Sequence, residues 1–392
     1  METNTIILYQ YILSTIDMSY SKFNLTSNPF LEEKHTFPMV GRKKDWDKIK
    51  NVTEELLTAD SCGIITIYGD YGMGKTFTLL KMQEEYQKNK DSGKVIFLKT
   101  IETGIPTNFL SDLLIRITRN IGKDEMVKLA KRVDFVSLDI DNTLKNVLIN
   151  LSDGNEISWK WFIGRSITNT ELKQIQAEFK IKDNYETFTV FLDFLKFLYV
   201  AGCQNMILLF DEWEYLLSRA SIDQVRTIVR DLQKLWDGYN ECRASNMKLC
   251  KIIFVIASSI GSWRIFLEMI DKDVSKKGGG GTETFMRRIP EMAKINLSPF
   301  ALSDVKKFII NRLKEYRLKP SSDDLFPLTN DYVQFITEIS WGIPSSILSK
   351  SALIIKEASD GEIKQVTTDF SKQILKNHGI LRELEEVGPI AE

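Results

Sequence analysis

One segment limits what this chain can fold into more than any other: Gly63-Ile64-Ile65-Thr66-Ile67-Tyr68-Gly69-Asp70-Tyr71-Gly72-Met73-Gly74-Lys75-Thr76. A β-branched apolar run leads into glycines, and Phe77 to Lys88 then carries helical spacing. The predicted order is strand, loop, helix. From Gly69 to Thr76 the segment matches G-x-x-x-x-G-K-[ST] completely, passing through Tyr71, Gly72, Met73 and Gly74. Each residue type has a physical reason to be there. Glycines let consecutive backbone N–H groups curl around phosphate oxygens. A helix opening with Lys75, Thr76 and Phe77 aims its positive end at the same oxygens. The Lys75 ammonium is expected on the β and γ phosphates and the Thr76 hydroxyl on Mg²⁺. The expected ligands are ATP and Mg²⁺.

Three more apolar runs are predicted as buried strands: Lys94 to Leu98, Met206 to Phe210 and Lys251 to Ala257. They alternate with helical segments, notably Asn108 to Ile121, Thr187 to Ala201 and Ile222 to Tyr239, which points to a parallel α/β sheet. Met206 to Phe210 ends in Asp211-Glu212. A carboxylate at the carboxyl end of a buried strand beside a phosphate loop is placed to hold Mg²⁺, and its neighbour to polarise water for in-line attack. Asp211 is therefore read as a metal partner and Glu212 as the catalytic carboxylate. Glu214, close by, reads as a surface carboxylate. Ser258 and Ser259 end the following strand, where a hydroxyl can orient the attacking water. After Pro299 the helical segments Leu302 to Tyr316, Asp331 to Ser340 and Ser345 to Lys356 follow with no strand between them.

Composition excludes several classes. Lys+Arg number 52 against 53 Asp+Glu, so nothing pulls the whole chain toward nucleic acid and any such contact must be local. Two histidines leave little room for histidine-based metal sites or triads. The four cysteines form no C-x-x-C pair, which argues against zinc or redox dithiol chemistry and for buried, reduced thiols in the cytoplasm. No apolar run reaches the roughly 18 residues that span a bilayer, so no membrane partner is expected. Met18 offers an alternative start of translation. Gly278 to Gly281, after Lys276-Lys277, reads as a flexible loop.

Asn28-Pro29-Phe30, Phe37-Pro38-Met39-Val40-Gly41-Arg42, Trp46 and Ile49 precede the first strand. With the motifs above, they resemble the AAA+ ATPases, most closely the origin-recognition-like branch. The resemblance implies that Pro38, Met39, Val40 and Gly41 line the adenine pocket. It continues at Ile289 to Leu313, where Leu297 to Ser303 resembles the opening of the family's helical lid. It also implies an arginine finger at Arg288 or Arg287, reaching the γ-phosphate of a neighbouring subunit. In Trp341-Gly342-Ile343-Pro344-Ser345 an arginine often follows the proline in this branch; here Ser345 stands there, which points to slow hydrolysis or to coupling that relies more on the neighbour's arginine. The long insert with Trp159-Lys160-Trp161-Phe162 looks like the ATP-binding proteins of BREX-type phage-defence systems. Trp159 and Trp161 also read as ordinary packing anchors.

The predicted fold class is an α/β parallel-sheet P-loop NTPase (AAA+) core with a helical insert, followed by a small all-helical lid. The expected divisions are an N-terminal extension (1–27), the ATPase domain (28–298, insert about 123–184), the lid (299–359) and a helical tail (360–392). Lys75 to Asp211 is a long spacing for this family, and the stretch after Ser359 is short for a winged helix. The expected function is ATP hydrolysis coupled to assembly of a homo-oligomeric ring or filament. That assembly would remodel or recruit an unidentified protein partner. DNA is a candidate ligand through two basic clusters. One holds Arg116, Arg119, Lys123, Lys128, Lys131 and Arg132; the other holds Arg42, Lys43, Lys44, Lys48 and Lys50. The alternative is a STAND-like switch, cycling between ATP and ADP states with little turnover.

Overall fold

The computed structural model describes residues 18–31, 39–59, 62–88, 93–99, 108–182, 187–215, 221–265, 268 and 289–381. They fall into two compact units. One comprises residues 45–70 and 75–296; the other holds the residues up to 44, 71–74 and those from 297 onward.

The first unit is built on five parallel strands: β1 (Gly63–Tyr68), β2 (Lys94–Lys99), β3 (Asn205–Asp211), β4 (Lys251–Ser258) and β5 (Lys294–Asn296). Their order is β2-β3-β4-β1-β5. Parallel neighbours need long crossovers, and the intervening helices provide them. With helices on both faces, the central strands can be apolar along their whole length. Accordingly β3 and β4 are buried from their second residue onward. Gly63 pairs with Ile253 and Phe210 with Ile256, so β1, β3 and β4 end together at one edge. β5 was not anticipated. Three residues are too short to show a period, and it joins the sheet only by pairing with Thr66 to Tyr68.

Helices α1 (Lys43–Thr58), α2 (Lys75–Lys88), α3 (Phe109–Ile121), α4 (Lys123–Ala130), α5 (Asn142–Ser152), α6 (Glu156–Phe162), α7 (Asn169–Gln174), α8 (Thr187–Val200) and α9 (Ile222–Ala244) complete this unit. Their starts are written in capping residues. The Asn108, Asp141 and Asn155 side chains accept N–H groups of their first turns. Thr168 with Glu171, and Ser221 with Gln224, form reciprocal capping boxes. α4 to α7 occupy the predicted insert. α5 and α6 meet α8, through Asp141 on Asp193 and Phe162 on Phe194, and α8 buries Val190, Phe191, Phe194, Leu195, Phe197 and Leu198. Trp161 is buried there, and its indole N–H donates to the Phe179 carbonyl at 2.8 Å. Trp159 is half-buried. The four cysteines are free and buried, as their composition implied.

The second unit is helical: α10 (Leu302–Glu315), α11 (Asn330–Ser340), α12 (Pro344–Asp360) and α13 (Thr368–Asn377). Residues 18–31 pack into it. Phe23, Leu25 and Phe30 are buried, the Thr26 N–H donates to the Tyr316 carbonyl, and the Asn28 amide donates to the Ala352 carbonyl. No helix among the described residues is long and apolar enough to cross a membrane.

Candidate functional site

The phosphate loop leaves β1 at Gly69 and enters α2 at Lys75. Gly72 and Gly74 adopt φ +78° and +89°, conformations that only glycine takes without strain. A Cβ placed on Gly74 would meet nothing within 4 Å, so the loop has open space on that side. Tyr71 is exposed at the tip, Met73 is buried, Thr76 is exposed and Phe77 is half-buried. The Lys75 ammonium folds back on its own loop, donating to the Gly69 and Asp70 carbonyls at 2.8 and 3.2 Å.

Asp211 and Glu212 lie at the same sheet edge, separated from β1 only by β4. Asp211 is buried, and its Oδ1 accepts the Glu212 N–H at 3.0 Å. Glu212 itself sits at φ +55°, in the left-handed region. A side chain there costs about 1–2 kcal/mol, strain of the kind that collects at functional sites. A ring brace supports the turn: Trp213 meets Phe210 edge-on at 5.5 Å, and Phe210 stacks on Phe254 at 6.1 Å.

The two serines at the end of β4 differ. Ser258 is fully buried and its hydroxyl has no hydrogen-bond partner among the described residues. The Ser259 hydroxyl accepts the Ser262 N–H at 3.2 Å, as a helix cap does. The Ser259 N–H in turn donates to Glu214 Oε2 at 3.3 Å. Glu214 is therefore half-buried and engaged, not the surface carboxylate that its neighbourhood in the sequence implied. It joins the turn after β3 to the end of β4.

In the helical unit Met39 and Val40 are half-buried, and Gly41 takes φ +68° with the Phe300 ring against it. Pro38, Arg287, Arg288 and the Gly278 to Gly281 loop lie outside the described residues.

Much of the positive charge in both basic clusters is used internally. Arg116 pairs with Asp112 at 2.6 Å, Lys123 pairs with Glu156, and Arg119 donates to the Ile163 carbonyl at 2.6 Å. In the other cluster Arg42 is buried, Lys48 donates to the Lys294 carbonyl and Lys50 pairs with Glu85. Lys128, Lys131, Arg132, Lys43 and Lys44 are exposed.

No protein-family model matches the sequence, and no curated protein does. Solved structures do. The ORC2 protein of Aeropyrum pernix, in ADPNP and ADP complexes, matches with a TM-score of 0.51 at 13% identity, over 89% of this chain and 71% of that one. The likeness shows the fold alone: a parallel-sheet α/β unit accompanied by a helical unit. Drosophila ORC bound to DNA also matches, with a TM-score of 0.48 at 11% identity, over 97% of this chain and 70% of that one. The parallel-sheet α/β fold with a helical unit after it was thus legible from the residues.

The residues present fit a nucleoside triphosphate with its cation. The loop offers glycine-enabled curvature and an open face, and the sheet edge offers a hydroxyl and a carboxylate. Among the described residues no cluster of three or more His, Cys, Asp or Glu could cage a metal by itself. Mg²⁺ needs no such cage, because it is commonly held by one or two carboxylates plus substrate phosphates and water.

Proposed function

We propose that this protein binds ATP with Mg²⁺ and hydrolyses it slowly, coupling the nucleotide state to self-assembly. One observation carries the reading: a complete phosphate loop and the Asp211-Glu212 pair stand at the same carboxyl edge of one parallel sheet. Thr76 and Asp211 would hold the ion, which when bound neutralises charge on the phosphate oxygens. Lys75 exchanges its two loop carbonyls for phosphate oxygens. Glu212 takes a proton from the attacking water as the γ-phosphorus–oxygen bond to the β-phosphate breaks, giving ADP and phosphate. Ser258, whose buried hydroxyl has no described partner, is the better placed of the two serines to orient that water. Ser259 serves its helix. Met39 to Gly41, with Pro38, would line the adenine side. Arg288 or Arg287 of a neighbouring copy would supply charge to the transition state.

The resemblance to origin-recognition ATPases supports a replication or mobile-element context, with DNA met through Lys128, Lys131 and Arg132. A gel shift that weakens steeply with salt tests that contact. Phosphate release measured from dilute to concentrated protein tests the reading as a whole. Turnover per subunit should rise with concentration, because a finger in trans needs a neighbour. Tight nucleotide binding with flat, near-zero turnover would instead establish the STAND-like switch. Ser345, standing where this branch often carries an arginine, fits slow hydrolysis or coupling that relies more on the neighbour's arginine.

A further inference from the structure

The helical unit contains the tip of the phosphate loop, and two of the tip's carbonyls are held from outside the loop. The Ser345 N–H donates to the Gly72 carbonyl at 3.2 Å. Arg42 Nη2 donates to the Met73 carbonyl at 3.0 Å, and Arg42 Nη1 donates to the Ser298 carbonyl. Arg42 is only 6% exposed, and its guanidinium lies 4.9 Å from the centre of the Phe300 ring. A cation buried this deeply is not a solvated surface charge; its donors are committed to backbone acceptors.

The chemistry of the peptide bond turns these contacts into a statement about the loop's donors. A trans peptide is planar, with its C=O and N–H pointing in opposite directions. Fixing the Gly72 carbonyl fixes the Met73 N–H on the other side. Fixing the Met73 carbonyl does the same for the Gly74 N–H. These are N–H groups that a phosphate loop of this pattern presents to its ligand. We infer that Arg42 is a positioning residue for nucleotide binding, holding the Met73–Gly74 peptide with its N–H turned toward phosphate, and that the Ser345 backbone does the same for Gly72–Met73. This rests on the ATP-binding reading above and adds to it a cause for the loop's shape that lies outside the motif. It also ties the loop to Ser298 and Phe300, at the entrance to α10, through one side chain.

The role of Ser345 is carried by its N–H, so its hydroxyl should be dispensable, whereas Arg42 acts through its side chain. The test measures affinity for a fluorescent ATP analogue with Mg²⁺ in the full chain, alongside the unfolding midpoint without nucleotide. The variants are Arg42→Met, Arg42→Lys and Ser345→Ala, with Lys75→Ala as reference. Losing a charge-assisted donor should weaken binding about tenfold in Arg42→Met. Arg42→Lys, reaching one carbonyl instead of two, should recover roughly threefold of that, and Ser345→Ala should stay within about twofold of wild type. If Arg42→Met does not fold, the comparison of Arg42→Lys with Ser345→Ala decides. A weaker Arg42→Lys with an unchanged unfolding midpoint supports the assignment, and equal affinities overturn it. Wild-type affinity in Arg42→Met, or equal losses in Arg42→Met and Arg42→Lys, also overturns it. If wild type and Lys75→Ala bind the analogue equally poorly, the ATP-binding reading itself falls.

Discussion

The two edges of the sheet are made from the same strands and share little else. At the amino edge Cys203 and Cys250 bring their thiols within 4.0 Å, the Lys251 ammonium donates to the Leu57 carbonyl, and Lys94 pairs with Glu125. Burial is the main influence on Cys62 and pushes its thiol up to about 12. These groups are occupied by structural partners. At the carboxyl edge Glu212 sits in a left-handed conformation, the Ser258 hydroxyl is buried without a described partner, and Lys75 rests on its own loop. The strain is found where a ligand would relieve or use it. The difference teaches that a parallel sheet can keep stability and chemistry at opposite ends of the same residues.

Substitutions can break that division. The largest effect should come from Glu212→Gln, which removes the proposed proton acceptor and keeps the shape. Hydrolysis should fall about a thousandfold with nucleotide binding retained, measured by phosphate release and by trapping of bound ATP. Hydrolysis within a factor of three of wild type would take Glu212 out of the mechanism. Next comes Glu214→Ala, which frees the Ser259 N–H from its acceptor. Turnover should drop roughly tenfold with nucleotide affinity nearly unchanged. An equal loss of affinity would make Glu214 a general brace instead.

At the amino edge Cys250→Ser should leave turnover untouched. It should lower stability by about 1–2 kcal/mol, read from urea unfolding, because a more polar hydroxyl replaces a buried thiol. A change in turnover there would erase the contrast between edges. The smallest effect concerns pH. The Cys62 thiol titrates higher in the folded state than in the unfolded chain, so its contribution is complete below about pH 9 and is lost as pH rises toward about 12. Cys62→Ala should flatten the alkaline fall in the urea midpoint between those values.

The candidate site was legible in position where its elements are sequence-local. Gly69 to Thr76 and Asp211-Glu212 declare themselves because strand, turn and helix follow one another without interruption. What could not be read depends on contacts between distant segments. Glu214 meets Ser259 across 45 positions of chain. Arg42 looked like one charge in a run of lysines, and only its burial against Met73 and Ser298 separates it from them. The insert's helices were foreseen in bulk, but the Asp193 side chain that fastens the start of α5 was hidden inside a strongly apolar helix. β5 escaped because three residues carry no pattern.

That buried aspartate has a mechanical consequence. Asp193 accepts the Asp141 N–H at 2.8 Å while pairing with Lys196, so the start of α5 is fastened to α8. Two residues further along α8, the Leu195 carbonyl accepts the Cys250 N–H, next to the first residue of β4. β4 then runs straight to Ser258. The insert is therefore not a loose flap beside the sheet but a part fastened to it. A force applied to α5 would reach, through two hydrogen bonds and one strand, the sheet edge that carries Glu212.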